Sequence, residues 1–191
     1  MVSFEDGSYE NETFEEFVWN EDLEDIEFYN CTFKNSSFQS SRFIECSFDS
    51  CEFIRCNLSL IEIKYTSFLD VKFTDCKMLG VSWGGAGGFL SASYDGCLMN
   101  NNIFADMNLT RFKFSSCFLV EASFSNVKMR HSVFDDCDLR QCQFHQADLS
   151  FADFTTSRNY YMNATSNTLQ KTLFSLPEAV SLLANLDVVL K

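Results

Sequence analysis

The sequence predicts an all-β solenoid in which the chain turns a corner every five residues and winds into a four-sided coil. Three observations predict it. A large apolar residue recurs at every fifth position through most of the chain. A small residue stands two places before most of them. A ten-residue alternation in the second half then sets an even number of sides.

The first series runs from Leu23 to Trp83 without a polar residue at any fifth position. After GGAGG (84–88) it resumes one residue out of step at Phe89 and runs to Phe154. Neither helix nor flat strand has a period of five. A chain that bends at each fifth residue does, with one large and one small side chain pointing inward on every short side. Each closed coil stacks on the next at strand spacing, about 4.8 Å. The 22 phenylalanines of this 191-residue chain are largely spent on these central positions.

From Met99 to Phe154 the centres alternate between Phe and Leu or Met. Four sides keep each type in its own column and give 20 residues per coil, with the two Phe columns on opposite faces. Five charged pairs 20 residues apart have opposite signs: Arg42/Glu62, Glu52/Lys72, Arg55/Asp75, Lys128/Asp148 and Asp138/Arg158. This is the sign expected of neighbours in adjacent coils. About seven coils would make a rod on the order of 34 Å long.

The domain organisation follows. Residues 1–17 read as an acidic N-terminal cap, 18–156 as the repeat body with its slip at 84–88, and 157–191 as an irregular segment, a helix and a short strand. Residues 1–30 hold eleven of the 27 acidic residues and no Lys or Arg, while the rest of the chain is nearly neutral. The acidic block is either a solvated end or a surface that repels or mimics nucleic acid. A basic footprint for direct nucleic-acid binding is absent. No apolar run reaches the length of a membrane span and the start carries no apolar leader, so a soluble, cytoplasmic protein is expected.

All nine cysteines fall at the small inward place, from Cys31 to Cys142. They read as small buried hydrophobes. Their number is odd, which argues against a disulfide framework. The C-x4-C-x4-C of Cys46, Cys51 and Cys56 lacks a C-x2-C pair or a nearby His, which argues against a metal site. His131 and His145 fall at outward places. GGAGG has neither the following Lys nor the following helix of a phosphate loop, so it reads as the device that absorbs the slip. The expectation is therefore a protein that is no enzyme and takes no cofactor. Its candidate contact residues are Trp83, Gly84, Gly85, Gly87, Gly88 and Phe89 at the slip, with Glu15, Glu16, Glu21 and Asp22 in the acidic block.

Beyond Phe154, SLPEAVSLLANLDVVLK reads as a closing helix and strand. Ser175 and Glu178 have capping-box spacing, and Pro177 lies in the first turn. The apolar residues exceed what one cap needs. Leu176, Ala179, Val180, Leu182, Leu183, Leu186, Val188 and Leu190 are the candidate interface of a symmetric homodimer.

The five-residue pattern resembles the pentapeptide-repeat family, whose consensus A(D/N)LXX is met closely by QADLSFADF (146–154). The resemblance implies a right-handed quadrilateral β-helix. FSLPEAVSLLANLDVVL (174–190) is similar to the closing element of the Qnr quinolone-resistance proteins and the microcin immunity proteins. That likeness implies a C-terminal capping and dimerisation helix, a rod of DNA-like dimensions, and a type II topoisomerase, chiefly gyrase, as partner. The two long projecting loops of many Qnr proteins have no counterpart here. A general interaction scaffold with a different protein partner is the alternative.

Overall fold

A computed structural model of the chain describes residues 4, 7–86, 90–176 and 178–185, with 184 and 185 described by backbone alone. The chain winds into a right-handed quadrilateral β-helix of about seven turns. Strands pair in parallel with the coil above and below. Phe33 lies opposite Phe53 and Phe53 opposite Phe73, while Phe43 lies opposite Ile63. Each step is twenty residues, as the alternation required. The slip also falls where it was read, because Phe73 lies opposite Tyr94 and Tyr94 opposite Phe114, a step of twenty-one and then of twenty.

The four faces follow in chain order. The first carries Phe33, Phe53, Phe73, Tyr94, Phe114, Phe134 and Phe154. The second carries Phe38, Leu58, Met78, Met99, Leu119 and Leu139. The third carries Leu23, Phe43, Ile63, Trp83, Phe104, Phe124 and Phe144, and the fourth Phe28, Phe48, Phe68, Leu109, Met129 and Leu149. Phe rings stack within a column, with centroids 5.2 Å apart for Phe104 and Phe124 and 5.1 Å for Phe114 and Phe134. The first and third columns meet edge to face across the core, 5.8 Å apart at Phe124 and Phe134. These are the two ring geometries that the aromatic quadrupole favours.

Corners explain the period. The residue two places after nearly every centre adopts φ between 50° and 67°, from Asn30 and Asn35 to Gln146 and Phe151, with Gly85 and Ser91 at the slip as exceptions. This left-handed conformation costs an ordinary residue about 1–2 kcal/mol. Short polar side chains are favoured there, and Asn, Asp and Ser hold many of the corners. Coil-to-coil hydrogen bonds offset the cost. Asn30 N–H donates to the Asp49 carbonyl at 2.9 Å, and Arg55 N–H to the Thr74 carbonyl at 2.9 Å.

Both ends depart from the sequence reading. The first coil is part of the solenoid rather than a separate cap: Gly7–Glu10 pairs with Ile26–Tyr29, and Thr13–Glu15 with Thr32–Lys34, at a spacing of nineteen. Phe4 closes this end, its ring edge-on to Tyr9, Phe14 and Phe28. At the other end the coils continue past residue 156. Asp148 bridges to Thr168 and Asp153 to Leu173, and Phe174 stacks on Phe154. The five-residue register in fact recurs at Leu169 and Phe174. It was hidden because Asn159 and Ala164 stand at the two intervening centres, and Tyr160 and Met162 turn inward instead.

The closing helix is a 3-10 helix, Glu178–Asn185. The expected capping box does not form: the Glu178 carboxylate accepts from Asn159 N–H at 3.1 Å, and Ser175 N–H donates to the Tyr160 hydroxyl. The proposed terminal strand, with Pro177, Leu186, Val188 and Leu190, lies outside the described residues.

Charged columns follow the predicted register, but side chains choose other partners. Of the five pairs, Lys72 and Glu52 form a salt bridge at 2.9 Å. Arg42 turns to Asp22, Arg158 to Asp136, and Asp148 and Asp138 bind Arg130 and Arg140. Exposed long side chains reach several acceptors at similar energy, about 0–1 kcal/mol per pair.

Candidate partner-binding surfaces

The cysteines form an internal scaffold. Each thiol lies beside the core, and those for which the geometry is clear donate to the carbonyl of a centre residue in the coil beneath. Cys51 Sγ is 3.4 Å from the Phe28 carbonyl, Cys76 Sγ 3.3 Å from that of Phe53, and Cys142 Sγ 2.9 Å from that of Leu119. Thr66 and Ser157 occupy the same place and make the same bond, to Phe43 and Phe134 at 3.0 and 2.8 Å. The inward place therefore lets a small donor reach that carbonyl, which reading by size alone missed, although Ala122, Ala147 and Ala152 fill the same place without one. All nine thiols are free and buried. Burial pushes the thiols of Cys51 and Cys142 up to about 12. Among the described residues no group of three or more His, Cys, Asp or Glu is placed to hold a metal ion.

Of the slip residues, Trp83 faces inward and is fully buried. Its indole lies parallel to Phe104, and Nε1 donates to Asn102 Oδ1 at 2.8 Å. The Asn102 amide in turn donates to the Met78 carbonyl. Trp83 thus offers no side chain to a partner, and its effect on the surface is to hold the Trp83–Gly85 turn. Asn102 was not singled out, although an amide at a place held mostly by Cys, Ala, Ser, Thr or an apolar residue was its signal. Gly84 faces open space, whereas a Cβ on Gly85 would lie 1.8 Å from the Ile63 carbonyl oxygen. Gly87, Gly88 and Phe89 lie outside the described residues.

The acidic candidates do not share a surface. Glu15 lies on the first face, in a salt bridge with Lys34 at 3.2 Å, and Glu16 at the corner beside it. Glu21 and Asp22 border Leu23 on the opposite, third face, where Asp22 binds Arg42. That bond holds the Asp22 carboxyl below its usual range. His145 is exposed, and His131 stacks on Phe151 with centroids 4.8 Å apart.

At the C-terminal end, Leu176 is 84% exposed and Leu173 and Val180 are exposed beside it. Ala179, Leu182 and Leu183 are half-buried, Leu182 against the core.

Parallel twenty-residue coils with left-handed corners agree with the family comparison. A pentapeptide repeat region is matched over residues 25–87, and pentapeptide repeats over 103–141 and 122–158, together more than half of the chain. The chain belongs to the pentapeptide-repeat family. Among solved pentapeptide-repeat structures, HetL of the cyanobacterium Nostoc sp. strain PCC 7120, a protein involved in heterocyst differentiation regulation, is similar at 13% identity. The match covers 88% of this chain and 84% of HetL with a TM-score of 0.52. QnrB1, a plasmid-mediated fluoroquinolone resistance protein, aligns at 19% identity over 98% of this chain and 100% of its own, with a TM-score of 0.42. No curated protein matches the chain in sequence. The likeness to HetL shows the pentapeptide-repeat fold alone, since one fold carries many functions.

Proposed function

We propose that this chain is a non-enzymatic binding protein that acts on a type II topoisomerase, DNA gyrase or topoisomerase IV, as an immunity or resistance factor. The observation that carries the reading is the similarity of residues 174–190 to the closing element of the topoisomerase-protecting branch of the family. The distribution of side chains supports a binding role. The interior is filled by apolar centres and thiols, and the charged side chains are spread over the outer faces. The exposed Leu173, Leu176 and Val180 support the second half of the reading, a homodimer joined through this end.

Two experiments test it. In a supercoiling assay with purified gyrase and a quinolone, added protein is expected to lower poison-induced cleavage or to alter supercoiling. No effect on supercoiling, relaxation or cleavage would count against a topoisomerase partner. In light scattering, the protein is expected at twice its 21.9 kDa chain mass, and Leu176→Glu with Val180→Glu at the single mass. A monomer at micromolar concentration sinks the dimer.

A scaffold for another protein is the second reading. The near-neutral body favours it, because the acidic residues of the first thirty positions fall on opposite faces rather than in one stripe.

A further inference from the structure

One corner of the rod changes character half-way along. The corner that follows the fourth face carries Asn11, Asn30, Ser50 and Asp70 in the early coils, all at left-handed φ. These are the short polar residues that such a corner favours. In the late coils the same corner carries Arg111, His131, Phe151 and Lys171, with φ between 55° and 65°. Phe151 is a bulky side chain where left-handed backbone is uncommon. Hydrogen bonds hold the corner in one column. Arg111 N–H donates to the Arg130 carbonyl, His131 N–H to that of Ser150 and Phe151 N–H to that of Gln170. Packing does not call for these residues, since Arg111, His131 and Lys171 are exposed and Phe151 is half-buried.

Phe151 organises the column. His131 stacks on its ring, with the planes 7° apart. The Arg130 guanidinium lies 5.3 Å from the ring centroid and the Lys171 ammonium 5.9 Å. Such contacts hold a cation in place and leave its charge free. Arg130 binds Asp148 through one nitrogen at 3.2 Å and keeps further donors. Arg111 and Lys171 form no salt bridge among the described residues. Bordering carboxylates are already engaged, Asp148 by Arg130 and Ser150, and Asp153 by Thr155. The result is a cationic ridge on a chain whose formal net charge is −13.

We propose that this ridge binds an extended acidic segment of a partner protein, laid along the rod axis. Spacing sets the fit. Arg111 and Lys171 are three coils apart, about 14 Å at strand spacing, and side chains at i and i+4 of an extended chain stand about 13–14 Å apart. Carboxylates at those two places meet Arg111 and Lys171. The carboxylate at i+2, on the same side of the segment, meets Arg130. Nucleic acid fits less well. The Phe151 ring lies between His131 of the coil beneath and Lys171 of the coil above, which leaves no face for a base to stack on. The net negative charge also repels a long polyanion. A second copy fits less well too, because its acidic residues are fixed in its own coils, where Glu15 and Asp22 bind Lys34 and Arg42. Nothing in the ridge requires the partner to be a topoisomerase.

The test uses the full chain and a capped, fluorescent octapeptide of alternating glutamate and serine. A lysine–serine octapeptide and a short DNA duplex are the controls. Fluorescence anisotropy at low salt reads binding, and NMR shifts of the backbone amides locate it. The expected result is saturable binding of the glutamate peptide alone, with shifts at Arg111, His131, Phe151 and Lys171. Arg111→Asn with Lys171→Asn suits the left-handed corner and should weaken binding about tenfold. Phe151→Asn should weaken it as well, by releasing Arg130 and Lys171, with the circular dichroism of the rod unchanged. Lys77→Asn, on the second face, should leave it unaltered. Absent binding, binding that the corner variants do not weaken, or shifts confined to other faces would overturn the proposal. Duplex binding as tight as that of the peptide would overturn the choice of a protein segment.

Discussion

Cys51 shows how much one inward residue does. Its thiol fills the gap beside the Phe48 and Phe53 rings and donates to the coil beneath. Burial holds its proton up to about pH 12, against an ordinary value of 9. Cys142 behaves alike. Below pH 9 folded and unfolded chains are both protonated at these thiols, and the stabilisation is complete. Between 9 and 12 the unfolded chain releases protons that the folded chain keeps, so stability falls as pH rises. Each thiol contributes a slope of up to about 1.4 kcal/mol per pH unit. Urea midpoints measured across this window should fall less steeply for Cys51→Ser/Cys142→Ser than for the unaltered chain. Equal slopes would refute the assignment. Tyr65 is a second residue to test. Left-handed φ strains its bulky side chain, so Tyr65→Asn should stabilise the fold by about 0.5–1 kcal/mol in the same assay. Burial of the cysteines was legible, because all nine keep one place in the repeat. Their donor role was not, because the spacing reports volume and not the carbonyl below.

The slip behaves as a single element built on one glycine. Gly85→Ala drives a Cβ into a backbone carbonyl and should cost about 2–3 kcal/mol, as overpacking of a fixed site does. Gly84→Ala meets open space and should change stability by about 0.5 kcal/mol or less. Denaturation of the two variants side by side decides the matter, and equal losses would contradict the wedge. Asn102→Leu should cost about 1–3 kcal/mol, since it leaves the Trp83 indole N–H buried without its acceptor. The one-residue shift could be read from Trp83 and Phe89 in the sequence. That Trp83 turns inward while its turn opens a gap over Ile63 could not, because both follow from how one coil rests on another. The last coil was hidden for a related reason. Asn159 and Ala164 interrupt the apolar series, although Leu169 and Phe174 keep its register.

The whole molecule is a rod whose interior is uniform and whose differences lie at its breaks. The five-residue period, the twenty-residue coil and the opposed Phe columns were all legible, since each repeats many times and so tolerates local exceptions. The partner surfaces were legible only as exceptions to the rule. Of those, Trp83 is buried, the acidic residues divide between two faces, and of the C-terminal apolar residues Leu176 and Val180 are exposed while Ala179, Leu182 and Leu183 are half-buried. No helix of the described residues is long and apolar enough to cross a membrane. The proposed function requires the intact rod to engage a type II topoisomerase. Sedimentation velocity of the full chain with purified DNA gyrase, at micromolar concentrations, reads that engagement. The chain is expected to move with the gyrase boundary, and excess chain to sediment separately as a dimer. Two independent boundaries at every mixing ratio would contradict it.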